Sequence, residues 1–163
     1  MKKLLLLLLL LIPNFIYAEL VLEITQGSDN PYSLAVIDFN GPQKISKKIN
    51  SIIKSDMKRT GEFVILDNSQ LISVPLNQEE IKYKDFKLLG IDFIVLGSLI
   101  SESKFNLSVS YDIYDVRKEK KIRTSKVFGI PNKIRQLSHY ISDGIYEEIT
   151  GLQGVASTKL LYV

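Results

Sequence analysis

Three aspartates are the residues of this sequence that are best placed to do chemistry. Asp38, Asp67 and Asp92 each lie at or near the end of a predicted strand, where α/β proteins often place their sites. Three carboxylates that met at one sheet edge could bind a divalent cation. Aspartates in such positions more often cap helices or close turns. We therefore predict that the protein holds no metal ion and no other cofactor.

His139 is the only histidine of the sequence and could in principle act as a general base. Its neighbours in a helical register include Arg135 and Asp143, so we expect it on a solvated helix face. Zinc ligation would need further histidines or cysteines, and the sequence has no cysteine. The sequence has no glycine-rich phosphate loop and none of the common hydrolase motifs. These observations predict that the protein is not an enzyme and has no small-molecule substrate.

Basic residues are concentrated in two parts of the sequence. The run Arg117–Lys121 holds four of them, and several lysines lie on one predicted helix at 43–60. Nucleic-acid binding would require interleaved aromatic residues and a wider basic face. The first run is typical of a charged hairpin tip. The second is typical of a solvated helix face, although it could guide an acidic partner. We expect no nucleic-acid partner.

The first residues have the pattern of a cleavable export signal. Lys2 and Lys3 precede an apolar run from Leu4 to Ile12, which is shorter than the roughly 20 residues that a membrane-spanning helix needs. We predict a signal peptide at residues 1–18, cleaved between Ala18 and Glu19. A retained anchor would be the alternative, but it would place a proline and an asparagine in the middle of the helix. Removing the two lysines lowers the formal charge from +3 to +1.

The elements that position the candidate residues follow from the hydrophobic pattern. Residues 32–39 form a nearly continuous apolar run, which predicts a strand buried on both faces. Apolar residues from Ile45 to Met57 recur at helical spacing, and Gly61 suits the left-handed position after a helix. Residues 62–67 are typical of a second buried strand. This order predicts a βαβ unit with parallel strands.

The second half of the sequence predicts an antiparallel meander and a closing helix. A stripe of apolar residues from Ile134 to Ile149 marks the last helix, and Gly151 suits its end. The other predicted elements are a loop at 68–76, a short helix near 84–89, and strands at 91–101, 105–116 and 122–128. The predicted fold class is α+β, with two layers and a mixed β-sheet that carries two long helices on one face.

The start of the mature chain is the candidate binding element. Residues 19–25 are predicted to form a strand, followed by a dense turn cluster at 26–31. An extended segment with alternating Leu20, Leu22 and Ile24 can join the sheet of a partner through backbone hydrogen bonds. It can equally pair within its own sheet. The residues alone leave the two possibilities open.

Several sequence blocks together resemble a known family. They are Ala18-Glu19 with the strand 20–24, the run LAVIDF at 34–39, residues 52–67, LGIDFIVLG at 89–97, and residues 142–151. In this order and spacing the chain resembles the N-terminal domain of TolB proteins, the periplasmic component of the Tol–Pal system. The resemblance implies an α/β domain at 19–153, similar in fold to anticodon-binding domains, and a tail at 154–163 that is similar to the first strand of a β-propeller.

The family implies a function as well as a fold. TolB-like proteins are periplasmic, non-enzymatic adaptors that connect the inner-membrane protein TolA with the outer-membrane lipoprotein Pal. They support outer-membrane integrity, cell division and protein import. The resemblance implies that the mature N-terminal segment binds a TolA-like protein, whereas a Pal-like partner is expected only if a propeller follows in the full gene. The segment consists of Glu19, Leu20, Val21, Leu22, Glu23, Ile24, Thr25, Gln26, Gly27, Ser28, Asp29 and Asn30.

A second resemblance leaves an alternative function open. The strands that contain AVIDF and GIDFIVLG are similar to those of outer-membrane-associated modules that activate penicillin-binding proteins or serve curli secretion. Those modules are usually lipoproteins, and this sequence lacks the cysteine that a lipid anchor requires. The alternative is therefore a standalone periplasmic module that regulates an envelope enzyme or a secretion complex.

Overall fold

The computed structural model of the chain describes residues 29–101 and 106–158. In this part the strands are β1 (Tyr32–Val36), β2 (Phe63–Leu66), β3 (Phe93–Ser101), β4 (Leu107–Asp115) and β5 (Lys120–Gly129). The α-helices are α1 (Gln43–Thr60), α2 (Tyr83–Leu88) and α3 (Ile134–Thr150), and short 3-10 helices cover Asn68–Gln70, Gln78–Glu80 and Pro131–Lys133. The predicted signal peptide, the strand at 19–25 and the residues 159–163 lie outside the described residues.

The strands form one mixed sheet in the order β2-β1-β3-β4-β5. Strand β1 pairs in parallel with β2 on one side and with β3 on the other. Strands β3, β4 and β5 form an antiparallel meander. The predicted α+β class, the βαβ unit and the meander are therefore confirmed.

The two long helices cover one face of the sheet, as predicted. Their apolar stripes, represented by Ile49 and Ile53 on α1 and by Ile141 and Ile145 on α3, are buried against the strands. Both helices end where a glycine adopts the left-handed conformation, with φ of 74° at Gly61 and at Gly151. A left-handed residue allows the chain to leave the helix while its N–H still bonds to a helix carbonyl.

The second face of the sheet is also partly covered. The apolar run at 32–39 predicted burial of this strand on both faces, but the sequence did not predict which segment supplies the cover. Ala35, Ile37 and Ile94 are buried on that face together with Phe86 of α2 and Ile81. The segment between β2 and β3 supplies this cover. It explains why β1 is apolar at successive positions, because a strand that is buried on both faces cannot alternate with polar residues.

The chain leaves α3 along a defined path. The carboxylate of Asp143 accepts hydrogen bonds from the backbone N–H groups of Ala156 (2.7 Å) and Ser157 (2.9 Å). These bonds hold residues 154–158 against the helix. The C-terminal tail therefore begins at a fixed point beside α3.

Candidate functional site

The three candidate aspartates do not meet. Asp38 and Asp67 follow β1 and β2, so they lie at the same edge of the sheet, where these parallel strands end and which we call the upper edge. Asp92 precedes β3 and lies at the opposite, lower edge, beside Ser33 at the start of β1. Within residues 29–101 and 106–158 no group of His, Asp or Glu side chains has an arrangement that could hold a metal ion.

Asp92 links neighbouring segments at the lower edge of the sheet through hydrogen bonds. Its Oδ2 accepts a hydrogen bond from the backbone N–H of Ser33 at 2.9 Å, and its Oδ1 accepts two from the guanidinium of Arg117 at 3.0 and 2.6 Å. The hydrogen bonds and the negative charge of Asp92 raise the pKa of Arg117 above its ordinary value. This carboxylate therefore connects β1, β3 and the turn after β4.

The basic run 117–121 forms a hairpin tip, as predicted, and its charges are largely paired. Lys118 lies 3.0 Å from Asp115, and Lys87 lies 2.6 Å from Glu119. Burial alone would raise the pKa of Asp115, but hydrogen bonds from the backbone N–H and the ammonium of Lys118 lower it below its usual value. These contacts make the run part of the turn.

The prediction that His139 lies on a solvated helix face is wrong. Its side chain is only 16 % exposed, and its Nδ1 lies 2.7 Å from Oδ2 of Asp56. The packing of α3 against α1 brings the two side chains together in the interface between the helices. The sequence did hold a signal for this contact, because Asp56 follows Ile53 and precedes Met57 in the apolar stripe of α1. A carboxylate at a buried position requires donors.

Asp56 is the centre of a small polar cluster, which we call the interhelix cluster: Arg59, Asp56, His139 and Ser142. The Asp56 side chain is 1 % exposed and accepts hydrogen bonds from the Ser142 hydroxyl at 2.8 Å and from the Arg59 guanidinium. The residue types match a nucleophilic triad, but the connections do not. In a triad the imidazole lies between the serine and the carboxylate, whereas here the carboxylate lies between the other two. The hydroxyl of the fully buried Ser142 has a single proton, which it can donate to Asp56 or to the Ser138 carbonyl.

An open cleft lies at the upper edge of the sheet, beside one side of α1. It has a volume of about 560 Å³, and we call it the α1 cleft. Asn50 on its wall is 3 % exposed, and its amide nitrogen donates to Asp38 at 3.0 Å. Lys54 lies 3.5 Å from Asp67. The lining residues are Asp38, Lys47, Asn50, Ser51, Lys54, Ser55, Lys58, Arg59 and Asp67. The sequence alone did not place these residues together.

The candidate binding segment 19–30 reaches the described part of the chain only at its end. Asp29 and Asn30 are exposed, and Glu19–Ser28 lie outside the described residues. The chain then enters β1 at Tyr32, whose backbone N–H donates to the Glu62 carbonyl at 2.8 Å. Its ring packs at the lower sheet edge against Phe63 and Phe93. The segment is therefore attached to a firmly held point next to the first residues of β2.

The chain is similar to known proteins. The family model described as the TolB amino-terminal domain matches residues 20–122. The Tol-Pal system protein TolB of Alcanivorax borkumensis is 34% identical over 146 residues, which are 90% of this chain and 34% of that protein. The protein of the same name from Pseudomonas aeruginosa is 33% identical over 144 residues, 87% of this chain and 33% of that protein. The chain thus spans about a third of the length of the curated relatives it matches.

Solved structures are similar as well. The crystal structure of TolB from Acinetobacter baumannii superimposes with a TM-score of 0.70 at 27% identity and covers 83% of this chain and 32% of that chain. The LpoB C-terminal domain from Salmonella enterica superimposes with a TM-score of 0.50 at 11% identity and covers 63% of this chain and 84% of that domain. The second likeness shows a shared fold and nothing further.

Proposed function

The chain belongs to the TolB amino-terminal domain family, and from this membership we propose that it is a non-enzymatic adaptor of the Tol–Pal system in the periplasm. The observation that carries the proposal is the family match over residues 20–122. This match begins at the second residue of the predicted mature chain. In this function the mature N-terminal segment, Glu19–Asn30, binds a TolA-like inner-membrane protein. The binding serves outer-membrane integrity, cell division and protein import.

The surroundings of the segment support this proposal. Both edges of β1 are already hydrogen-bonded, to β2 and to β3, so the backbone groups of β1 have no capacity for a further strand. The exposed residues Asp29 and Asn30 connect the segment to β1. An extended segment held at one firm end can add to the exposed sheet edge of a partner, where main-chain hydrogen bonds supply affinity.

The compartment is part of the same proposal. A signal peptide at residues 1–18 would direct the chain to the periplasm, and cleavage between Ala18 and Glu19 would free the binding segment at a chain terminus. No helix within residues 29–101 and 106–158 is both long and apolar enough to cross a membrane. A Pal-like lipoprotein is a partner only if a propeller follows in the full gene.

The interhelix cluster is compatible with an adaptor. Its hydrogen bonds join α1 to α3, and the buried Ser142 hydroxyl contacts the Asp56 carboxylate instead of the imidazole of His139. We assign this arrangement to packing. The alternative of a standalone module that regulates an envelope enzyme has no specific observation in its favour, since the similarity to the LpoB domain is one of fold.

Capture of a purified TolA C-terminal domain tests the proposal. The protein lacking residues 19–30 should lose capture, while circular dichroism should show the same fold, because the described core begins after this segment. Equal capture by both forms would refute the segment as the binding element.

A proline substitution tests whether the backbone carries the binding. Leu22→Pro removes one main-chain N–H from the segment and should reduce capture by about tenfold or more. The matched variant Leu22→Ala keeps every N–H, and we expect a smaller loss. If the alanine variant loses as much as the proline variant, side-chain packing and not strand addition explains the binding.

A further inference from the structure

We propose that the α1 cleft is a second binding site, which takes an acidic peptide segment of a partner protein. This site is separate from the segment 19–30, and the inference goes beyond the proposed function. It rests on the charges that line the cleft and on the amide oxygen of one lining residue, Asn50, which is buried and has no hydrogen-bond partner among the described residues.

The charge of the cleft is positive and only partly neutralised. Four basic side chains and two carboxylates line it. Arg59 is paired with Asp56, and Lys54 with Asp67. Lys47 and Lys58 are exposed, and neither has a carboxylate partner within residues 29–101 and 106–158. These two ammonium groups are available to the carboxylates of a ligand.

Asn50 supplies the second, independent observation. Its Oδ1 is buried and has no hydrogen-bond partner among the described residues. The orientation of the amide is defined, because the carboxylate of Asp38 only accepts and must face the Asn50 nitrogen, 3.0 Å away. Leaving a buried acceptor unpaired is costly, so such groups usually have a partner. A ligand that donates a hydrogen bond to Asn50 would remove this cost.

The unpaired lysines require negative charge and the Asn50 oxygen requires a hydrogen-bond donor, and together these two requirements define the class of ligand. A phosphate or sulfate ion offers negative charge but is too compact to contact both Lys47 and Lys58, which are eleven residues apart on α1. A membrane surface is flat and does not fill a concave cleft. A peptide with Asp or Glu side chains offers both carboxylates and backbone N–H donors, so an acidic peptide satisfies the cleft best.

The spacing of the lysines suits an extended peptide. Lys47 and Lys58, the two unpaired lysines, lie on the same side of α1 eleven residues apart, a rise of about 16 Å. In an extended chain every second side chain lies on the same side, at intervals of about 7 Å. Carboxylates at the first and fifth positions of such a peptide lie about 14 Å apart, so they can approach both lysines, whose side chains are long and flexible.

Fluorescence anisotropy with a labelled peptide tests the proposal. The probe is a fluorescein-labelled hexapeptide of alternating Glu and Ala, added to the chain at low salt, with the corresponding Gln and Ala peptide as the neutral control. We expect the acidic peptide to bind and to be released by salt, because exposed charges are screened. No rise in anisotropy of the acidic peptide with up to about 1 mM of the chain would overturn the proposal, because the affinity would then be too weak to be useful.

Two double variants with the same change of charge locate the site. Lys47→Gln with Lys58→Gln removes the two unpaired cleft lysines and should weaken binding by about fivefold. Lys44→Gln with Lys48→Gln is the matched control, since both lysines are exposed on α1 but do not line the cleft. We expect the control to bind within about twofold of the unaltered chain. An equal loss in both would show that net charge alone attracts the peptide, and would overturn the site.

The variant Asn50→Leu tests the buried amide. It has a similar volume and removes the unpaired oxygen, so the fold should persist while peptide affinity falls by about threefold or more. Unchanged affinity in a folded variant would refute the role of Asn50. Inorganic phosphate and vesicles of phosphatidylglycerol should each compete poorly, and equal competition by either would assign the cleft to that anion instead.

Failure of peptide binding at the α1 cleft can be distinguished from failure of TolA binding by the segment 19–30. Deletion of residues 19–30 should leave acidic-peptide binding unchanged, and the two cleft lysine substitutions should leave capture of the TolA domain unchanged. A deletion that abolished both activities would overturn the claim that the two sites are separate.

Discussion

Replacing Asp56 with alanine should lower the free energy of unfolding by about 2.5 kcal/mol. The carboxylate is 1 % exposed and lies 2.7 Å from Nδ1 of His139 and 2.8 Å from the hydroxyl of Ser142. Arg59 also pairs with it. In the variant each of these donors loses the acceptor that connects α1 to α3.

The size of this loss of stability depends on whether each donor finds another hydrogen-bond acceptor once Asp56 is removed. The Arg59 side chain is 64 % exposed, so water replaces its partner and the loss is about 0.5 kcal/mol. Ser142 keeps the Ser138 carbonyl at 3.0 Å as an acceptor, so its loss is also about 0.5 kcal/mol. His139 is only 16 % exposed and loses its carboxylate, which costs about 1.5 kcal/mol.

Urea unfolding followed by far-UV circular dichroism measures this loss. The sequence has no tryptophan but has eight tyrosines, so tyrosine fluorescence provides a second probe. The midpoint should fall while the m-value stays constant, because the surface exposed on unfolding is unchanged. The expected decrease of the melting temperature is about 5–10 °C for a chain of this size.

Two comparisons decide whether the reasoning holds. Glu147→Ala removes an exposed carboxylate of α3 and should change stability by less than about 0.5 kcal/mol. In a double-mutant cycle, Asp56→Ala and His139→Ala should show a coupling of about 1 kcal/mol. If Asp56→Ala costs no more than the Glu147 control, or if the two losses simply add, the interhelix cluster does not stabilise the fold in the way described.

Three further substitutions test other parts of the fold. Gly97→Ala should destabilise by about 2 kcal/mol, because a Cβ would lie 2.5 Å from the ring of the buried Phe39; an unchanged urea midpoint would contradict this. Asp115→Asn should cost about 1 kcal/mol at neutral pH. The pKa of Asp115 is lowered in the folded state, so its charge stabilises above the unfolded pKa and this contribution is lost as the pH falls through the folded pKa. The two proteins should therefore converge in stability in acid, and a difference that persists there would exclude the charge as the cause. Asp143→Ala should accelerate hydrogen exchange of the Ala156 and Ser157 amides by about tenfold, because these two N–H groups lose their acceptor. Equal exchange rates would show that other contacts hold residues 154–158.

Much of the fold was predictable because its signals are local. The apolar stripe of α1 and the left-handed Gly61 mark that helix within a short window of sequence, and Gly151 does the same for α3. Apolar runs identified the strands in the same way, and the order of strand, helix and strand implied parallel pairing. The source of the cover on the second face was not predicted, because the weakly patterned segment between β2 and β3 has no periodicity that indicates where it packs.

The candidate sites depend on contacts that sequence spacing does not report. Asp56 and His139 are 83 positions apart, and only the packing of α1 against α3 made them partners. Asp92 resembled Asp38 and Asp67 as a strand-end aspartate, but it precedes its strand, so the sheet places it at the opposite edge. The residue type was the same in all three cases and the three strands are parallel, so what differed was whether the aspartate precedes or follows its strand.

The sequence by itself determined the elements, the fold class and the family, since these follow from hydrophobic period, turn residues and ordered blocks along the chain. The tertiary structure alone decided which polar residues meet. It placed His139, which was predicted on a solvated helix face, in a half-buried position with its Nδ1 against the carboxylate of Asp56, and it placed Asn50 beside Asp38 at the edge of a basic cleft. The physical reason is that burial and hydrogen bonding are properties of neighbours in space, and these neighbours come from distant parts of the chain.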